Sequence, residues 1–173
     1  PLSSEPTLGY TLRQGIIEST LSDSSPKAFR NVHVYGRASD WAKNKSPECP
    51  ALKGSLAANE KYKPFRDYDY SIVIENSSVR NYFTEKLLDC FLEETIPLYW
   101  GCPNILNYFP SDAIITLKDE DVRDPVRFAE IIDNLESPSK RRRVALKEAK
   151  RLVLDEYNIW EVLHKISCPP QQG

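Results

Sequence analysis

The order of apolar and polar positions along the chain predicts short strands that alternate with amphipathic helices. Residues 70–75 and 96–100 form brief continuous apolar runs, which are typical of strands buried on both faces of a parallel sheet. A weaker alternation predicts further strands at 31–35 and 113–117. These runs are too short for buried helices, so we interpret them as the strands of one sheet.

Apolar residues at helical spacing predict helices between and after these strands, and the connection over residues 37–63 is polar. The helices are expected at 11–21, at 84–94, from Asp124-Pro125 onward and from Ser137-Pro138 to about residue 157, with 158–166 continuing after a bend. Strand–helix alternation of this kind predicts an α/β fold, a Rossmann-like, doubly wound, mostly parallel sheet. In such sheets ligands bind at the carboxyl ends of the strands.

Composition and charge exclude several classes of function. The 173 residues include 23 basic and 25 acidic side chains, so the basic excess of a general nucleic-acid binder is missing. The basic run 140–143 is interpreted as a solvated helix face. Neither an apolar stretch of membrane-spanning length nor a signal peptide is visible, so we expect no membrane contact by this segment. The sequence contains no Met, which suggests a piece of a longer chain.

Cysteines and acidic clusters give little support for a metal site. Four cysteines at wide spacing (Cys49, Cys90, Cys102 and Cys168) lack the paired arrangement of zinc ligands, and we expect buried thiols whose disulfide state stays open. The acidic triplets that begin at Asp67 and Asp119 are interpreted as solvated loops, with a metal at Asp119 as the alternative. We therefore predict no bound metal.

The densest cluster of chemically capable residues spans 75–86, where a strand end, a polar loop and a helix start follow one another. Lys86 lies in the first helical turn, where a cation opposes the helix dipole unless an anion sits beside it. Free N–H groups at a helix N-terminus also suit a phosphate. An ordinary helix capped by Thr84, with Glu85 and Lys86 solvated, explains the same residues. Sequence spacing alone leaves both interpretations open, because no Walker A or dinucleotide motif is present.

Three consecutive motifs at this cluster resemble the signature of the family 10 glycosyltransferases. These motifs are the strand Tyr70-Ser-Ile-Val-Ile-Glu-Asn-Ser77, the run Tyr82-Phe-Thr-Glu-Lys86 after a four-residue spacer, and Ile96-Pro-Leu-Tyr-Trp-Gly101-Cys-Pro103. The family comprises α1,3/4-fucosyltransferases that use GDP-fucose, and the resemblance is strongest over residues 63–109. It implies one half of a two-domain GT-B enzyme. Residues 1–167 would form the C-terminal, donor-binding domain and 168–173 a disordered tail, with the N-terminal acceptor domain absent.

The resemblance also implies roles for individual side chains in an inverting, α1,3-type transfer of fucose to a glycan hydroxyl. Lys86 would pair with donor phosphate, Glu85 would bind sugar or ribose hydroxyls, and Arg13 would neutralise the pyrophosphate. The implied substrate-binding residues are Asn76, Tyr82, Thr84, Arg37 and Glu75, with Glu75 also suited to bracing the loop. The general base would be a carboxylate of the absent half, so we expect this chain to transfer sugar poorly alone.

Partners and alternatives follow from the same resemblance. It implies GDP-fucose as donor, a glycan acceptor held through the missing domain, no nucleic acid and no obligatory cofactor, with Mn²⁺ stimulation left open. A eukaryotic relative would face the Golgi lumen as a membrane-anchored enzyme of protein glycosylation, and a bacterial one would be cytoplasmic or membrane-peripheral. The alternatives are the same scaffold with another nucleotide sugar, or a non-catalytic nucleotide-binding or interaction module.

Overall fold

The computed structural model describes residues 7–36, 50–57, 60, 62–158 and 167 of the chain. Within these ranges the helices are α1 Leu8–Thr20, α2 Lys63–Arg66, α3 Glu85–Leu92, α4 Asp119–Arg123, α5 Pro125–Asp133 and α6 Lys140–Asp155. The strands are β1 Val34–Tyr35, β2 Leu52–Gly54, β3 Tyr70–Ile74, β4 Ile96–Trp100 and β5 Ile115–Thr116. Short 3₁₀ turns occupy Lys27–Asn31, Ile105–Asn107 and Ser111–Ala113.

All of the strand pairings among the described residues are parallel. A three-stranded sheet has the order β3-β4-β5, and its longest ladder pairs Tyr70 with Ile96 at one end and Ile74 with Trp100 at the other. The strands β1 and β2 form a separate parallel pair. The α/β class with a parallel sheet, predicted from the apolar pattern, is confirmed.

The core lies on both faces of β4, whose five residues are all buried. One face packs against α3 and α6, where Leu87, Phe91 and Leu146 are buried. The other face packs against α1, where Leu12 and Ile16 are buried. A strand covered on both sides needs apolar side chains at every position, which explains why residues 96–100 read as an unbroken apolar run.

Two local predictions differ from the structure. Helix α1 begins at Leu8, three residues before the predicted start at residue 11, and Thr7 occupies the N-cap position. Residues 119–123 form α4 and not the solvated loop that was expected. Acidic side chains stabilise the first turn of a helix, and Asp119 also accepts a 2.8 Å hydrogen bond from the indole N–H of Trp100.

The remaining predictions concern the basic run, the polar connection, membrane helices and residues outside the described ranges. The basic run starts α6, and two of its arginines form ion pairs, Arg141 with Asp112 and Arg143 with Asp69. Strand β2, in the polar connection, was not predicted. Residues 159–166 and 168–173, Arg37, Cys49 and Cys168 lie outside the described residues. Among the helices that the structure describes, none is both long and apolar enough to cross a membrane.

Candidate functional site

The candidate site lies at the carboxyl ends of β3 and β4, and the buried carboxylate of Glu75 organises it. The Glu75 N–H donates to the carbonyl of Trp100 at 2.9 Å, which continues the β3–β4 ladder by one residue. Its side chain is fully buried, and a Cβ at Gly101 would lie only 2.6 Å from Glu75 Cγ. Gly101 therefore provides the space that the carboxylate occupies.

Both oxygens of Glu75 face Thr84, the N-cap of α3. Oε1 accepts from the Thr84 N–H at 2.9 Å, and Oε2 accepts from the Thr84 hydroxyl at 2.8 Å. The Thr84 hydroxyl oxygen in turn accepts from the N–H of Lys86 at 3.4 Å. These contacts fasten the loop between β3 and α3 at both ends, which suits Glu75 to a bracing role rather than to direct substrate contact.

Lys86 is held beside this carboxylate although it lies in the first turn of α3. Its ammonium is 4.0 Å from Glu75 Oε2, 3.1 Å from Glu85 Oε1 and 3.2 Å from the Thr84 hydroxyl. The side chain is 31% exposed, so the ammonium remains open to solvent on one side. Two carboxylates offset the unfavourable helix dipole at this position, and they keep a cation available to an anionic ligand.

Glu85 projects outward from the start of α3, with its side chain 67% exposed. The hydrogen bond from Lys86, outweighing partial burial, lowers the pKa of this carboxyl below its ordinary value. Glu85 is therefore ionised at neutral pH and can only accept hydrogen bonds. Such a carboxylate is suited to hydroxyl groups of a sugar or ribose.

Arg13 reaches the same edge from α1. Its guanidinium donates to Asn76 Oδ1 at 3.0 Å and to the carbonyl of Ile74 at 3.3 Å. The start of α1 is held there as well, because the Gly9 N–H donates to the carbonyl of Asn76 at 3.0 Å. A Cβ at Gly9 would lie 1.7 Å from the carbonyl oxygen of Glu75, so only glycine permits this approach. Two cations, Arg13 and Lys86, thus flank the turn at residues 75–76.

The loop before α3 exposes Tyr82 because both of its neighbours are held inward. Asn81 adopts a left-handed conformation with φ 62°, and its Oδ1 accepts from Asn104 Nδ2 at 2.7 Å and from the Tyr108 hydroxyl at 2.6 Å. On the other side, the ring of Phe83 lies 5.1 Å from the ring of Tyr108, in an aromatic cluster. Tyr82 itself is 39% exposed.

The structure therefore brings together most of the predicted site residues, and it adds residues that sequence reasoning missed. Arg13, Asn76, Thr84 and Lys86 converge on the end of β3 through the contacts above, whereas Arg37 lies outside the described residues. The residues for which the sequence predicted no individual role are Gly9, Asn81, Asn104, Tyr108 and Gly101, although Asn81 and Gly101 lie within the cluster and motifs described above. Asn81 had a usable signal, since asparagine is enriched in left-handed backbone conformations. The other contacts join distant parts of the chain and have no local pattern.

Groups that could support other chemistry are scarce in the described part of the chain. Cys90 and Cys102 are free and buried, as expected for structural thiols, and burial raises the pKa of Cys90 to about 12. A thiol of that kind stays protonated and is a poor nucleophile. No three His, Cys, Asp or Glu side chains within those ranges are grouped to hold a metal ion.

A parallel sheet with helices packed on both faces places the protein in the α/β class, whose members bind ligands at the carboxyl edge of the sheet. Comparison with protein families then identifies the family. The model described as "Glycosyltransferase family 10 (fucosyltransferase) C-term" matches residues 24–145, which is more than half of the chain. The chain therefore belongs to glycosyltransferase family 10.

Individual relatives agree with this assignment at low identity. An alpha-(1,3)-fucosyltransferase of Helicobacter pylori is 30% identical over 71 residues, which cover 40% of this chain and 15% of that protein. An alpha-(1,4)-fucosyltransferase of Arabidopsis thaliana is 30% identical over 78 residues, covering 44% and 20%. GDP-fucose protein O-fucosyltransferase 3 of Danio rerio is 26% identical over 147 residues, covering 79% and 31%. The chain thus matches under a third of each relative, and no solved structure matches it.

Proposed function

We propose that this chain forms the donor-binding half of an inverting fucosyltransferase that uses GDP-fucose. The observation that carries the proposal is the pair of cations at the end of β3, supplied by α1 and α3 in a chain of family 10. Arg13 and Lys86 are fixed through the consecutive residues Asn76 and Glu75, so a single turn of the backbone sets the position of both.

The arrangement suits a leaving nucleoside diphosphate. When the bond between the sugar and GDP breaks, negative charge grows on the phosphate oxygen that leaves. In this proposal the Lys86 ammonium and the Arg13 guanidinium, each held beside the end of β3, stabilise that charge without a metal ion. Glu85 supplies an acceptor for sugar or ribose hydroxyls, and Tyr82 offers an exposed aromatic face and a hydroxyl beside it. We assign no general base to this chain and no obligatory cofactor to the reaction.

The donor is the part of the proposal that a binding measurement tests most directly. Calorimetric titration of the protein with GDP, UDP and CDP, with and without Mn²⁺, should give saturable binding that favours GDP. Tighter binding of UDP or CDP would contradict fucose as the transferred sugar and would favour the same scaffold with another nucleotide sugar. Absence of nucleotide binding in the complete polypeptide would favour a non-catalytic interaction module.

A pair of matched variants tests the cation. Lys86→Ala should weaken GDP binding about 10- to 100-fold, since hydrogen bonds to charged groups contribute about 1.5–3 kcal/mol. Lys150→Ala removes the same charge from α6, where Lys150 pairs with Glu94, and it should leave GDP affinity unchanged. Equal effects of the two substitutions would mean that Lys86 acts only through the net charge of the protein.

A further inference from the structure

Asn104 lies in the loop that follows β4 and forms a two-way contact with the loop that carries Tyr82. Its side-chain Oδ1 accepts from the backbone N–H of Asn81 at 3.0 Å, and its Nδ2 donates to Asn81 Oδ1 at 2.7 Å. The thiol of Cys102 also donates to Asn104 Oδ1 at 3.2 Å, which fixes the carboxamide from the side of β4. A single side chain after β4 therefore holds both the backbone and the side chain of Asn81.

This contact fixes Asn81 in a conformation that few residues adopt. Asn81 has φ 62°, in the left-handed region that asparagine tolerates better than most other residues. Its Oδ1 accepts a second hydrogen bond, from the Tyr108 hydroxyl at 2.6 Å. An uncommon backbone conformation persists where the surroundings determine it several times over. Asn104 and Tyr108 supply those constraints at Asn81.

The residue that follows, Tyr82, lies between this contact and a second fixed point. Thr84 is the second point, because its N–H and its hydroxyl both donate to the Glu75 carboxylate, at 2.9 Å and 2.8 Å. Between the two, the ring of Phe83 packs into the aromatic cluster, whereas Tyr82 is 39% exposed. Packing constrains an exposed side chain only weakly, so the direction of Tyr82 depends on the backbone that carries it.

We propose that Asn104 is a positioning residue of the donor site, which acts through Asn81 to fix the backbone from which Tyr82 contacts the nucleotide sugar. The inference rests on the proposed function, because positioning has an effect only where the donor binds. It adds an affinity-determining role for a side chain of the loop after β4. Without Asn104, binding of the donor must itself order Tyr82, and that ordering costs affinity.

A double-mutant cycle on the complete polypeptide tests the proposal, with GDP affinity measured by calorimetry. Asn104→Ala should weaken GDP binding roughly 5-fold, an effect of the size that hydrogen bonds of this kind produce. In a Tyr82→Ala background the same substitution should change GDP affinity by less than about 2-fold, because the side chain that it positions is gone. A general structural effect of Asn104 would instead weaken binding equally in both backgrounds.

Two controls separate a local change at the loop from a loss of the fold. Asn107→Ala makes the same substitution at an exposed position of the following 3₁₀ turn, and it should leave GDP affinity unchanged. Amide hydrogen exchange of the Asn104→Ala protein should be faster at Asn81, whose N–H loses its acceptor, and unchanged at Val73 in the β3–β4 ladder.

The outcomes distinguish this inference from the proposed function. If the protein binds GDP and Lys86→Ala weakens that binding, but the effects of Asn104→Ala and Tyr82→Ala are additive, the positioning role is wrong and the proposed function stands. Unchanged GDP affinity of Asn104→Ala, with faster exchange at Asn81, likewise overturns the positioning role alone. No GDP binding by the unsubstituted protein overturns the proposed function and this inference together.

Discussion

The two edges of β3 differ in how much of their hydrogen bonding the described residues satisfy. Toward β4 every ladder position is paired, and the ladder continues into Glu75, whose carboxylate then fixes Thr84 and the start of α3. Toward β1 the backbone groups of Tyr70 and Ile72 border an apolar groove. The comparison shows that the paired edge positions the candidate site through contacts among β3, β4 and α3.

The largest expected effect comes from removing the brace of the paired edge. Glu75→Ala should lower the free energy of unfolding by about 3–5 kcal/mol, because it empties a buried site and leaves the Thr84 N–H without its acceptor. The measurement is urea denaturation of the complete protein.

Glu85→Ala serves as the control, since this neighbouring carboxylate is 67% exposed and should change stability by less than about 0.5 kcal/mol. A loss for Glu75→Ala as small as that of the control would show that the brace does not stabilise the fold.

Two glycines of α1 should respond in opposite directions to the same substitution. Gly9→Ala forces a Cβ into the carbonyl of Glu75 and should cost about 1–3 kcal/mol of stability, with weaker GDP binding as Arg13 is displaced. Gly15→Ala meets no atom within 4 Å and should gain up to about 1 kcal/mol through helix propensity. Thermal unfolding of both variants checks the pair, and a gain at both positions would exclude the close approach at Gly9.

Asn81 allows the backbone and side-chain contributions of the loop to be separated. Asn81→Gly accommodates the left-handed conformation but loses the hydrogen bonds from Asn104 and Tyr108. Asn81→Ala loses the same two hydrogen bonds and also disfavours the left-handed conformation, so it should be about 1 kcal/mol less stable than the glycine variant. Tyr108→Phe removes a single bond to Asn81 and should cost about 1 kcal/mol. Denaturation midpoints give the ranking, and equal stability of the Gly and Ala variants would contradict a strained backbone at Asn81.

The smallest expected effect is on the pH dependence of stability, and it comes from His33, which lines the groove between β1 and β3. Burial, and then the charge of Lys53, hold the pKa of His33 below its ordinary value of 6.5. The unfolded chain therefore binds this proton more readily, so His33 should reduce stability as the pH falls below about 6.5 and have no such effect above it. His33→Gln should flatten this part of the pH dependence in denaturation at pH about 7.5 and about 5. An unchanged slope would assign it to other groups.

The sequence predicted those elements whose own residues form a recognisable local pattern. Residues 96–100 were assigned correctly because a strand buried on both faces must be apolar throughout, and Thr84, Glu85 and Lys86 stood out because a helix start is a local pattern. Strand β2 was not predicted, because its three residues are too few to show a periodic apolar pattern and none of them is fully buried.

The tertiary contacts at the site could not be predicted in the same way. The contact of Gly9 with Glu75 joins residues far apart in the chain, and so does the network that joins Asn81 to Asn104. No local pattern specifies such pairings.

The contact of Gly9 with the end of β3 has a consequence for how the site tolerates change over many substitutions. Because main chain contacts main chain there, the distance between the start of α1 and the β3 turn is set by the backbone of Gly9 and not by a side chain at that position. The approach of α1, which carries the Arg13 charge, to this edge therefore requires a residue without a β-carbon at position 9.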